Sequence, residues 1–443
     1  MLVGIDDTDS PAGGCTTHFA LEAACAFTRE HGLVLRSMAR LVRLNPNIPW
    51  KTRGNAAVAL DLGGPSGGPT ETVGVAFDGT EIRRDRAARD VEPSPGHAAT
   101  LDALIGKWCD LGAPGTDPAY VISTAPLAPS LYEEAVKGVV EPASVRAAVA
   151  GLSPAPLWKA LGDGRGIVGA CAAAAVHLPS PTFELIVYRE QSRWGTKRRV
   201  DFDSVERMDR AFPSTYQSVD RVNRHAAVAP STPCPVLFGV RAFASAEIRA
   251  AAASVDAGEP WAGWLLFETN QGTDAHVVDS TLEAAKPLQT VRVSGLVTRA
   301  PKRLAGGHVV FGLQDGAGAT ADCAAFEPTK EFRRVVESLA KGDRVRAVGA
   351  LREAPRTINL EKIEVLATAP RPRAATNPVC PSCGNRMKSA GADAPFRCRA
   401  CGRKAPKSEA GTAPAPAAPA VGWYEVPVCA RRHLARPLAA PRP

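Results

Sequence analysis

Near its N-terminus the chain carries Gly4-Ile5-Asp6-Asp7-Thr8-Asp9-Ser10-Pro11-Ala12-Gly13-Gly14-Cys15-Thr16-Thr17. The apolar residues before this segment predict a buried strand, and the pattern from about residue 16 to residue 31 predicts a helix. Three carboxylates therefore lie where a strand ends, and two glycines and two hydroxyls lie where a helix begins. Clustered carboxylates bind hard cations, and the N–H groups at a helix start attract phosphate. The segment predicts a site for a nucleotide and Mg²⁺.

The same segment has a simpler interpretation, in which the aspartates and Ser10 form an Asx turn and cap the helix. A single carboxylate would favour that alternative. Asp6, Asp7 and Asp9 lie within four positions, however, and they repel one another unless a cation or hydrogen-bond donors compensate. A metal or phosphate site is therefore favoured. The segment contains no P-loop motif and no G-x-G-x-x-G motif, so the common nucleotide-binding folds receive no support from it.

The composition is that of a globular protein with several domains. The 443 residues are 45% hydrophobic, and a chain of this length holds about two to four domains. No run of about 18 uncharged apolar residues occurs, so we expect no membrane-spanning helix. A strand at the N-terminus argues against a signal peptide. Eleven cysteines include two C-x-x-C pairs, which predicts a reducing, cytoplasmic setting and a metal site.

The basic charge is concentrated at the C-terminus. Residues 371–443 contain thirteen Lys and Arg and three Asp and Glu, a net charge of +10, whereas the whole chain carries +8. Residues 1–370 therefore carry a net charge of −2. A basic cluster of this kind indicates binding to nucleic acid. The alternative is a solvated tail that only keeps the protein soluble.

Two loops in the N-terminal part of the chain are further candidates for phosphate binding. A loop rich in proline and asparagine, residues 43–55, carries Trp50, Lys51 and Arg53, which suit a phosphate or a base. Its alternative is an ordinary strand connection with Trp50 in the core. The run Gly162-Asp163-Gly164-Arg165-Gly166 precedes an alanine-rich helix and is a second candidate, although glycines also simply end helices.

The middle of the chain predicts an α+β sandwich followed by a β-barrel. After helical patterns over residues 130–139 and 142–161, strands with one or two helices follow within about 100 residues, as in an α+β sandwich. A polar cluster at a strand end, residues 270–276, suits a ligand or a capped turn. Five strand patterns over residues 289–367, with a helix between the third and the fourth, predict an OB-fold. Such barrels commonly bind single-stranded nucleic acid.

The clearest metal signal is a pair of C-x-x-C knuckles separated by fourteen residues. At this spacing four thiolates form a tetrahedral Zn²⁺ site, here Cys380, Cys383, Cys398 and Cys401. Lysines and arginines surround the knuckles. An Ala/Pro-rich linker follows, and the last residues are patterned enough to predict a segment that docks on the body of the protein.

These segments together resemble one family, the archaeal tRNA-isoleucine 2-agmatinylcytidine synthetases. The resemblance extends from residue 4 to about residue 437, and its motifs are GIDDTDS…CTT, RLNPNIPWKTRGN, GDGRG, WGT, PVLFGV, TNQGTDAH and RRHLARP, with the barrel and the zinc ribbon. The family implies an α+β multidomain fold. Its parts would be a kinase-like α/β ATP-binding domain (1–178), a ferredoxin-like α+β domain (179–285), an OB-fold β-barrel (286–370), a C-terminal zinc ribbon (375–406), and a linker with a docked tail (407–443).

The resemblance also implies an activity. Members of the family use ATP to conjugate agmatine to C2 of the wobble cytidine of a tRNA(Ile) with a CAU anticodon, so that AUA codons are read as isoleucine. We therefore expect an ATP-dependent ligase with ATP, Mg²⁺ and Zn²⁺ as cofactors, this tRNA and agmatine as partners, and no membrane or protein partner. One alternative is a non-catalytic nucleic-acid-binding protein with an OB-fold and a zinc ribbon. Another is an enzyme that attaches a different amine, such as lysine.

The motifs of the family transfer roles to the three aspartates and to Thr16, and residue type and position in the loops, the polar cluster and the zinc ribbon indicate the other candidates. Asp6, Asp7 and Asp9 are expected to bind Mg²⁺ and to act in catalysis, with Thr16 as the residue that becomes phosphorylated. The residues expected to bind ATP are Thr8, Gly13, Gly14, Cys15, Thr17, Lys51, Arg53, Asn55, Gly164 and Arg165. The residues expected to bind the substrates are Trp50, Glu268, Asn270, Asp274, Arg397 and Arg399.

Three features depart from the family pattern. Asp163 stands where Asn is expected, which adds negative charge near an expected phosphate site. His18 stands where an aromatic residue often follows the C-T-T triplet. Residues 63–94 match no part of the family pattern.

Overall fold

The computed structural model describes residues 1–371, 375–389, 391, 394–412 and 417–441. Within them the chain forms a mixed α/β region, a closed β-barrel and a small cysteine-rich module. This arrangement confirms the predicted α+β multidomain fold class. Of the helices in these residues, none combines the length and the hydropathy that crossing a bilayer requires.

The first region begins with the predicted strand and helix. Leu2–Asp6 forms β1, and Thr16–His31 forms α1, which buries an apolar face that includes Phe19 and Leu21. The remaining elements are, in chain order, β2 (Val34–Leu35), β3 (Ala39–Arg43), β4 (Ala56–Gly63), β5 (Glu71–Val75), β6 (Glu81–Arg84), α2 (Pro95–Trp108), β7 (Ala119–Ser123), α3 (Ser130–Lys137), α4 (Pro142–Ala150), β8 (Leu157–Ala160) and α5 (Gly166–Ala175).

The helix predicted over residues 142–161 ends earlier than predicted. α4 ends at Ala150, and β8 follows and pairs with β7. Gly151, Pro154 and Pro156 separate the two elements. Because proline lacks the N–H group that a helix interior needs, the apolar pattern beyond these residues forms a strand instead.

The second region continues the sheet of the first. Its elements are β9 (Thr182–Tyr188), α6 (Phe202–Ala211), β10 (Val219–Asp220), β11 (His225–Ala226), β12 (Val236–Ala242), α7 (Ile248–Ala253) and β13 (Gly263–Thr269). β9 lies between β12 and β13 and is antiparallel to both. β13 in turn pairs with β3 and β5 of the first region. The boundary predicted after residue 178 therefore falls within one eleven-stranded sheet.

Residues 63–94, in which the sequence alone showed no motif of the family, add a hairpin to this sheet. β5 and β6 pair in antiparallel fashion, and β5 also pairs with β13. Gly74 permits this pairing, because a Cβ atom at its position would lie 2.9 Å from the carbonyl oxygen of Trp264. Because β6 also pairs with β2, the hairpin lies between β13 and β2 in the sheet.

The strands of the two regions place several functional candidates at one edge of the sheet. β1 and β3 are both antiparallel to β4, and β13 is parallel to β3. Their C-terminal residues Asp6, Arg43 and Thr269 consequently lie at the same edge. β9 is antiparallel to β13 and begins there with Thr182. Loops at such an edge can carry function without disturbing the core.

The third region is a five-stranded barrel. A short strand, β14 (Val277–Asp279), pairs with β15 beside the barrel. The elements of the barrel are β15 (Thr290–Arg303), β16 (Val309–Asp315), β17 (Thr320–Ala325), α8 (Phe332–Glu337), β18 (Arg344–Arg352) and β19 (Thr357–Ala367). β15 pairs with both β16 and β18, which closes the barrel. Val291, Phe311 and Ile363 belong to its buried core. The position of α8, between β17 and β18, is the one the sequence predicts for an OB-fold.

The C-terminal residues form short strands and then return to the body. The strands are β20 (Ala375–Thr376), β21 (Phe396–Arg397), β22 (Lys404–Ala405), β23 (Gly411–Thr412) and β24 (Gly422–Glu425). β24 pairs with β19 of the barrel. Beyond it, the carbonyl oxygen of His433 accepts a hydrogen bond from the Gly272 N–H at 2.8 Å, and the Arg432 guanidinium donates to Asn47 Oδ1. The tail thus contacts all three preceding regions.

Candidate functional site

One cavity of about 460 Å³ opens at the sheet edge described above. Its lining comes from β1, the start of α1, the loop between β3 and β4, the start of α5, β9, β12 and the C-terminal tail. We call the part lined by Asp6, Asp7 and Asp9 the aspartate end. We call the part lined by Arg43, Glu184, Arg241 and His433 the arginine end.

The carboxylates at the aspartate end carry more negative charge than the nearby cation offsets. Burial raises the pKa of Asp6 and of Asp7, and the neighbouring carboxylates raise both values further. Burial also raises the pKa of Asp9, although Arg53 opposes the shift. Asp7 adopts a φ of 58°, which is uncommon outside glycine. Carboxylates held in this way are the ligands that a cation would stabilise.

The geometry of the aspartate end limits how a cation can be held. Among the described residues, the four cysteines are the only three-or-more set of candidate ligands whose atoms lie within 4.8 Å of one another. Asp6, Asp7 and Asp9 therefore do not converge as a complete cage. Mg²⁺ is usually bound by one or two carboxylates together with substrate phosphates, so this donor set fits a metal that arrives with a nucleotide.

The start of α1 has no side-chain cap. Cys15 is its extended N-cap residue and makes no capping hydrogen bond, nor does an aspartate replace it. The Thr8 hydroxyl donates to Thr16 Oγ1 at 3.2 Å, and Cys15 Sγ pairs with Thr17 Oγ1 at 3.1 Å. Because the aspartates are not needed as caps, they are available for a ligand.

Arg53 holds the loop that carries the aspartates. Its Nη2 atom donates to the carbonyl oxygens of Ser10, Gly13 and Gly14 at 2.7 to 2.9 Å, and its Nε atom lies 3.1 Å from Asp9 Oδ2. Its Nη1 atom is buried and has no hydrogen-bond partner. Arg53 thus shapes the loop and retains one donor for an anion. Gly13 and Gly14 act as part of this loop and do not line the cavity.

Lys51 and Asn55 also line the cavity, and both are held by the loop between β3 and β4. The Lys51 ammonium donates to the carbonyl oxygen of Pro46. Burial, with Arg432 nearby, lowers the pKa of Lys51 to about 8. Asn55 donates through Nδ2 to the carbonyl oxygen of Asn45 at 2.7 Å. The loop therefore places a lysine whose pKa is lowered beside an amide side chain that is held in position by a hydrogen bond.

An aromatic side chain and a guanidinium stack at the cavity. The Arg165 guanidinium lies 3.9 Å from the centre of the Trp50 ring, and Trp50 is 48% exposed. The alternative in which Trp50 packs into the core is therefore wrong. Asp163 fixes the glycine-rich turn before Arg165, since its Oδ1 atom accepts the Arg165 N–H at 2.8 Å. Gly164 adopts a φ of 78° in this turn, and neither Gly164 nor Asp163 lines the cavity.

Two glycines that the sequence analysis did not single out as ligand-site residues bring α5 against β1. A Cβ atom at Gly169 would overlap Asp6 Oδ2, and one at Gly166 would overlap the carbonyl oxygen of Asp117. The local signal is Gly164-Arg165-Gly166-Ile167-Val168-Gly169, a G-x-G-x-x-G run that follows β8 and opens α5. Gly169 keeps the space beside Asp6 free, and Gly166 lets α5 approach the start of β7.

The arginine end combines residues from distant parts of the sequence. Glu184 lies on β9 and Arg241 on β12, while Arg43 ends β3. Arg43 Nη2 lies 3.9 Å and Arg241 Nε 3.8 Å from the Glu184 carboxylate, which also accepts a hydrogen bond from Gln271. One carboxylate thus faces two guanidinium groups. The tail adds His433, whose pKa is held well below its usual range by Arg43, by burial and by Arg241.

Three residues expected to bind substrate lie outside the cavity lining. Asn270 exchanges hydrogen bonds of 2.8 Å with the backbone of Arg43, and Asp274 is paired with Lys362 at 2.6 Å. Glu268 lies on β13 next to Arg40 of β3, and burial raises its pKa. The structure therefore brings none of these three side chains to the aspartates.

His18, which replaces an aromatic residue of the family pattern, behaves as one. Its ring packs edge-on against Trp108 and Trp194, at centroid distances of 4.9 and 5.2 Å. Burial, with Lys107 nearby, lowers its pKa to about 3. The imidazole is therefore neutral at physiological pH and fills an aromatic position.

The four cysteines form a zinc-binding site. Sγ–Sγ distances of 3.5 Å between Cys380 and Cys401 and 3.4 Å between Cys383 and Cys398 place the four sulfurs around one point. A tetrahedron with Zn–S bonds of about 2.3 Å has edges of roughly 3.8 Å. The thiols therefore fit this metal with little movement. Arg397 lies on β21 and is exposed beside the site, as is Arg399.

Domain descriptions from known families match nearly the whole chain. They are the TiaS TCKD domain over residues 2–153, the TiaS FLD domain over residues 164–276, an OB-fold nucleic acid binding domain over residues 291–368, and the TiaS C-terminal zinc ribbon domain over residues 377–413. The FLD match includes α5, which packs against the first region in the core cluster of Ala119, Val121 and Ile167.

Curated proteins and solved structures agree with these matches. The tRNA(Ile) 2-agmatinylcytidine synthetase TiaS of Methanosarcina mazei is 38% identical over 99% of this chain and 97% of its own, and that of Archaeoglobus fulgidus is 38% identical over 99% and 97%. The crystal structure of a complex of TiaS with its isoleucine tRNA and ATP superimposes with a TM-score of 0.80 at 35% identity, over 100% of this chain and 97% of that one. A complex of TiaS with that tRNA, AMPCPP and agmatine gives 0.77 at 33% identity, over 99% and 96%. The chain belongs to the tRNA(Ile) 2-agmatinylcytidine synthetase TiaS family.

Proposed function

We propose that this chain uses ATP to conjugate agmatine to C2 of the wobble cytidine of a tRNA(Ile) with a CAU anticodon. The observation that carries the proposal is the convergence of Asp6, Asp7, Asp9, Thr16 and Arg53 on one cavity. A non-catalytic binding protein would have no need for half-buried carboxylates with raised pKa values, because they destabilise the folded state. The enzyme is therefore favoured over the binding protein.

The chemistry requires that an oxygen become a leaving group. The C2 oxygen of cytosine leaves poorly until it is phosphorylated by ATP, after which the amine of agmatine attacks C2, phosphate departs and the amine loses a proton. Transfer of a phosphoryl group depends mainly on positioning and on electrostatic stabilisation. The chain supplies Arg53 Nη1 as a free buried donor and the Arg165 guanidinium at the cavity.

Asp6, Asp7 and Asp9 are the residues proposed to hold Mg²⁺. When bound, this ion would supply positive charge that offsets the negative charge developing on the transferred phosphate. Because burial raises the pKa of Asp6 and Asp7, either carboxyl group can also accept a proton near neutral pH. One aspartate can therefore hold the metal while another takes the proton of a hydroxyl or an amine.

Thr16 is proposed as the residue that becomes phosphorylated. It is the first residue of α1, and its Oγ1 atom accepts a hydrogen bond from the Thr8 hydroxyl. Its own proton is therefore not used in that hydrogen bond. The helix start also favours a negatively charged group at this position.

The cytidine must leave the base stack to reach the cavity, as in other enzymes that modify bases. Trp50, which is exposed and stacked on Arg165, is the side chain proposed to receive the base. Stacking on an aromatic ring contributes about 1–3 kcal/mol per base. The barrel and the zinc ribbon are proposed to hold the remainder of the anticodon arm.

The domain limits 1–178, 179–285, 286–370, 375–406 and 407–443 are retained as part of the proposal. The packing of α5 on the first region supports the first limit. A cytoplasmic location is also proposed, since the substrate is tRNA and none of the eleven cysteines forms a disulfide, as suits a reducing compartment.

The test is a reaction with purified full-length protein. ATP, labelled agmatine and tRNA with a CAU anticodon are incubated together, the RNA is digested, and its nucleosides are analysed. Label should appear in a modified cytidine only when ATP is present, and a tRNA(Ile) with a GAU anticodon should remain unlabelled. Labelling without ATP, or none with the CAU tRNA, would contradict the proposal.

A further inference from the structure

The arginine end has polar atoms that no part of the described protein satisfies. Arg43 Nε, Arg241 Nε and His433 Nδ1 are all buried, and none has a hydrogen-bond partner. Buried polar groups are almost always paired in folded proteins. The three residues that carry these unpaired nitrogens line one end of one cavity, which leaves room for a partner from outside the chain. The two guanidinium nitrogens can only donate.

The protein holds these groups in place rather than leaving them to find partners. Arg241 donates through Nη2 to the carbonyl oxygen of Ala227 at 2.8 Å and through Nη1 to Gln217 Oε1 at 3.4 Å. These bonds fix the guanidinium and leave its Nε atom free. Arg241 is only 6% exposed, so its orientation is set by packing. The backbone of Arg43 is tied to Asn270 in the same way.

The charge of the arginine end selects the kind of ligand. Glu184 offsets one of the two guanidinium groups, and it lies 3.8 and 3.9 Å from them, beyond hydrogen-bond distance. The balance is therefore one positive charge. His433 stays neutral, since Arg43 and burial hold its pKa low. Agmatine is a dication and would be repelled here, whereas an anion would relieve the repulsion between the two arginines.

The position of the arginine end separates it from the aspartates. β3 is two strands from β1 across the sheet, β9 is four strands away, and β12 is five. Neighbouring strands lie about 4.8 Å apart, so Glu184 lies on a strand roughly 19 Å from the strand of Asp6. The two ends are therefore built on different strands, although one cavity joins them.

We propose that Arg43, Arg241 and His433 form a binding site for a single phosphate group. The proposal rests on the proposed function only for the source of the phosphate, which is either the phosphodiester beside the extruded cytidine or a phosphate of ATP. Guanidinium groups suit this ligand because their N–H groups match phosphate oxygens. The RNA is favoured, since a nucleotide that enters the cavity brings its own backbone phosphate with it.

The experiment measures binding, not conjugation, with the full-length chain. The probes are a CAU anticodon stem-loop RNA, ATP, and inorganic phosphate followed by thermal shift. The variants are Arg43→Gln and His433→Ala, with Arg29→Gln as the control, because Arg29 is an exposed residue of α1 paired with Asp78. Either test variant should weaken stem-loop binding at least fivefold, while Arg29→Gln should change it less than twofold. For the Arg43→Gln variant, the slope of log K for RNA binding against log salt concentration should be shallower by about 0.7.

Glu184→Gln should change the binding affinity in the opposite direction. Removal of the carboxylate leaves two uncompensated guanidinium groups, so phosphate and the stem-loop should bind at least twofold more tightly. A general loss of structure cannot produce this result. If the fivefold loss appears for ATP and not for the RNA, the phosphate site stands and its source is ATP.

The proposal is overturned if both test variants bind RNA and ATP within twofold of the parent and inorganic phosphate does not raise the melting temperature of the parent. In that case the two arginines serve only to balance Glu184. The result is separable from the proposed function. A protein that binds the stem-loop through this site but attaches no agmatine would refute the proposed function alone. Variants that conjugate agmatine and keep the parent's affinity for both RNA and ATP would refute this site alone.

Discussion

The aspartate end and the arginine end of the cavity are assembled in opposite ways. Asp6, Asp7 and Asp9 belong to one loop that follows one strand. Arg43 and Arg241 belong to strands of different regions, and His433 belongs to the tail. The first set is held by local turns and by Arg53, whereas the second exists only when the sheet has formed and the tail has docked on it.

The two ends also balance charge in opposite ways. The carboxylates are protonated or ionised according to pH, because burial brings their pKa values into the working range. The guanidinium groups stay charged at every pH that the protein survives. Ligand binding at the aspartate end should therefore depend on pH and on metal, whereas binding at the arginine end should depend mainly on salt.

The largest expected effect concerns Thr16. The variant Thr16→Val keeps the shape of the side chain and removes the hydroxyl that would accept phosphate. We expect labelled γ-phosphate to appear on the parent protein and to be absent from this variant, as measured by autoradiography after incubation with ATP. Thr28→Val, on the same helix and outside the cavity lining, is the matched control and should keep the label. Label that disappears with Thr17→Val instead would move the assignment by one residue.

Asp7→Asn should give the next largest effect. The substitution keeps the size of the side chain and removes a charge from the aspartate end. ATP consumption should fall at least about tenfold, which corresponds to about 1.4 kcal/mol in barrier height. Binding of the CAU stem-loop should change less than twofold, because the arginine end is intact. Parent-like ATP turnover would show that Asp7 holds no metal, and a parallel loss of RNA binding would show that the two ends are not independent.

The aspartate end could be predicted from the sequence because its chemistry is local. The strand, the three carboxylates and the helix start follow one another within seventeen residues. The zinc site was predictable for the same reason, since two short knuckles specify it. In both cases the residues that do the chemistry are close neighbours in the chain.

The arginine end was not predicted, because no local pattern marks it. Glu184 and Arg241 are single charged residues within apolar strands. Their meeting with Arg43 depends on β13 pairing with β3, which joins two predicted domains into one sheet. The polar residues Asn270 and Asp274, by contrast, looked like ligands at a strand end and are engaged in holding backbone and barrel together. Topology, not composition, decides between these roles.

A smaller effect is expected at the zinc ribbon, which offers a second basic surface of another kind. Arg397 and Arg399 are exposed, whereas Arg241 is buried and Arg43 half-buried at the cavity. Exposed arginines position an RNA backbone with little regard to sequence. Alanine at both positions should make the plot of log K against log salt shallower by about one to two units. The double substitution should weaken the binding of all tRNAs alike and leave phosphate labelling of Thr16 unchanged.

The measurement is filter binding of CAU tRNA and of an unrelated tRNA at several salt concentrations. An unchanged slope would mean that these arginines only face solvent. A loss confined to the CAU tRNA would mean that they contact bases rather than phosphates. Either outcome would leave the arginine end of the cavity as the one phosphate-binding surface proposed for the RNA.

The smallest expected effect is on thermal stability, and a substitution at the aspartate end should show it whereas one at the arginine end should not. A carboxyl group whose pKa is raised by folding binds more protons in the folded than in the unfolded chain, between the unfolded value near 3.8 and the raised value. Since the slope of unfolding free energy with pH follows the difference in bound protons, Asp7 makes the folded protein less stable as pH rises through this window. Asp7→Asn removes that penalty.

In the presence of a chelator, the Asp7→Asn variant should therefore melt at a higher temperature than the parent at pH 8, and the two should melt together near pH 4. If the relief is about 1 kcal/mol, the shift is roughly 2–4 °C. Arg43→Gln should show no such dependence on pH, because the guanidinium does not titrate in this range. Saturating Mg²⁺ and ATP should reverse the order at pH 8, since a ligand that binds only the folded parent stabilises it by mass action. A variant that melts below the parent at pH 8 without metal would show that the Asp7 charge is already satisfied within the protein, and the aspartate end would then lack the unbalanced charge that distinguishes a metal site from a turn.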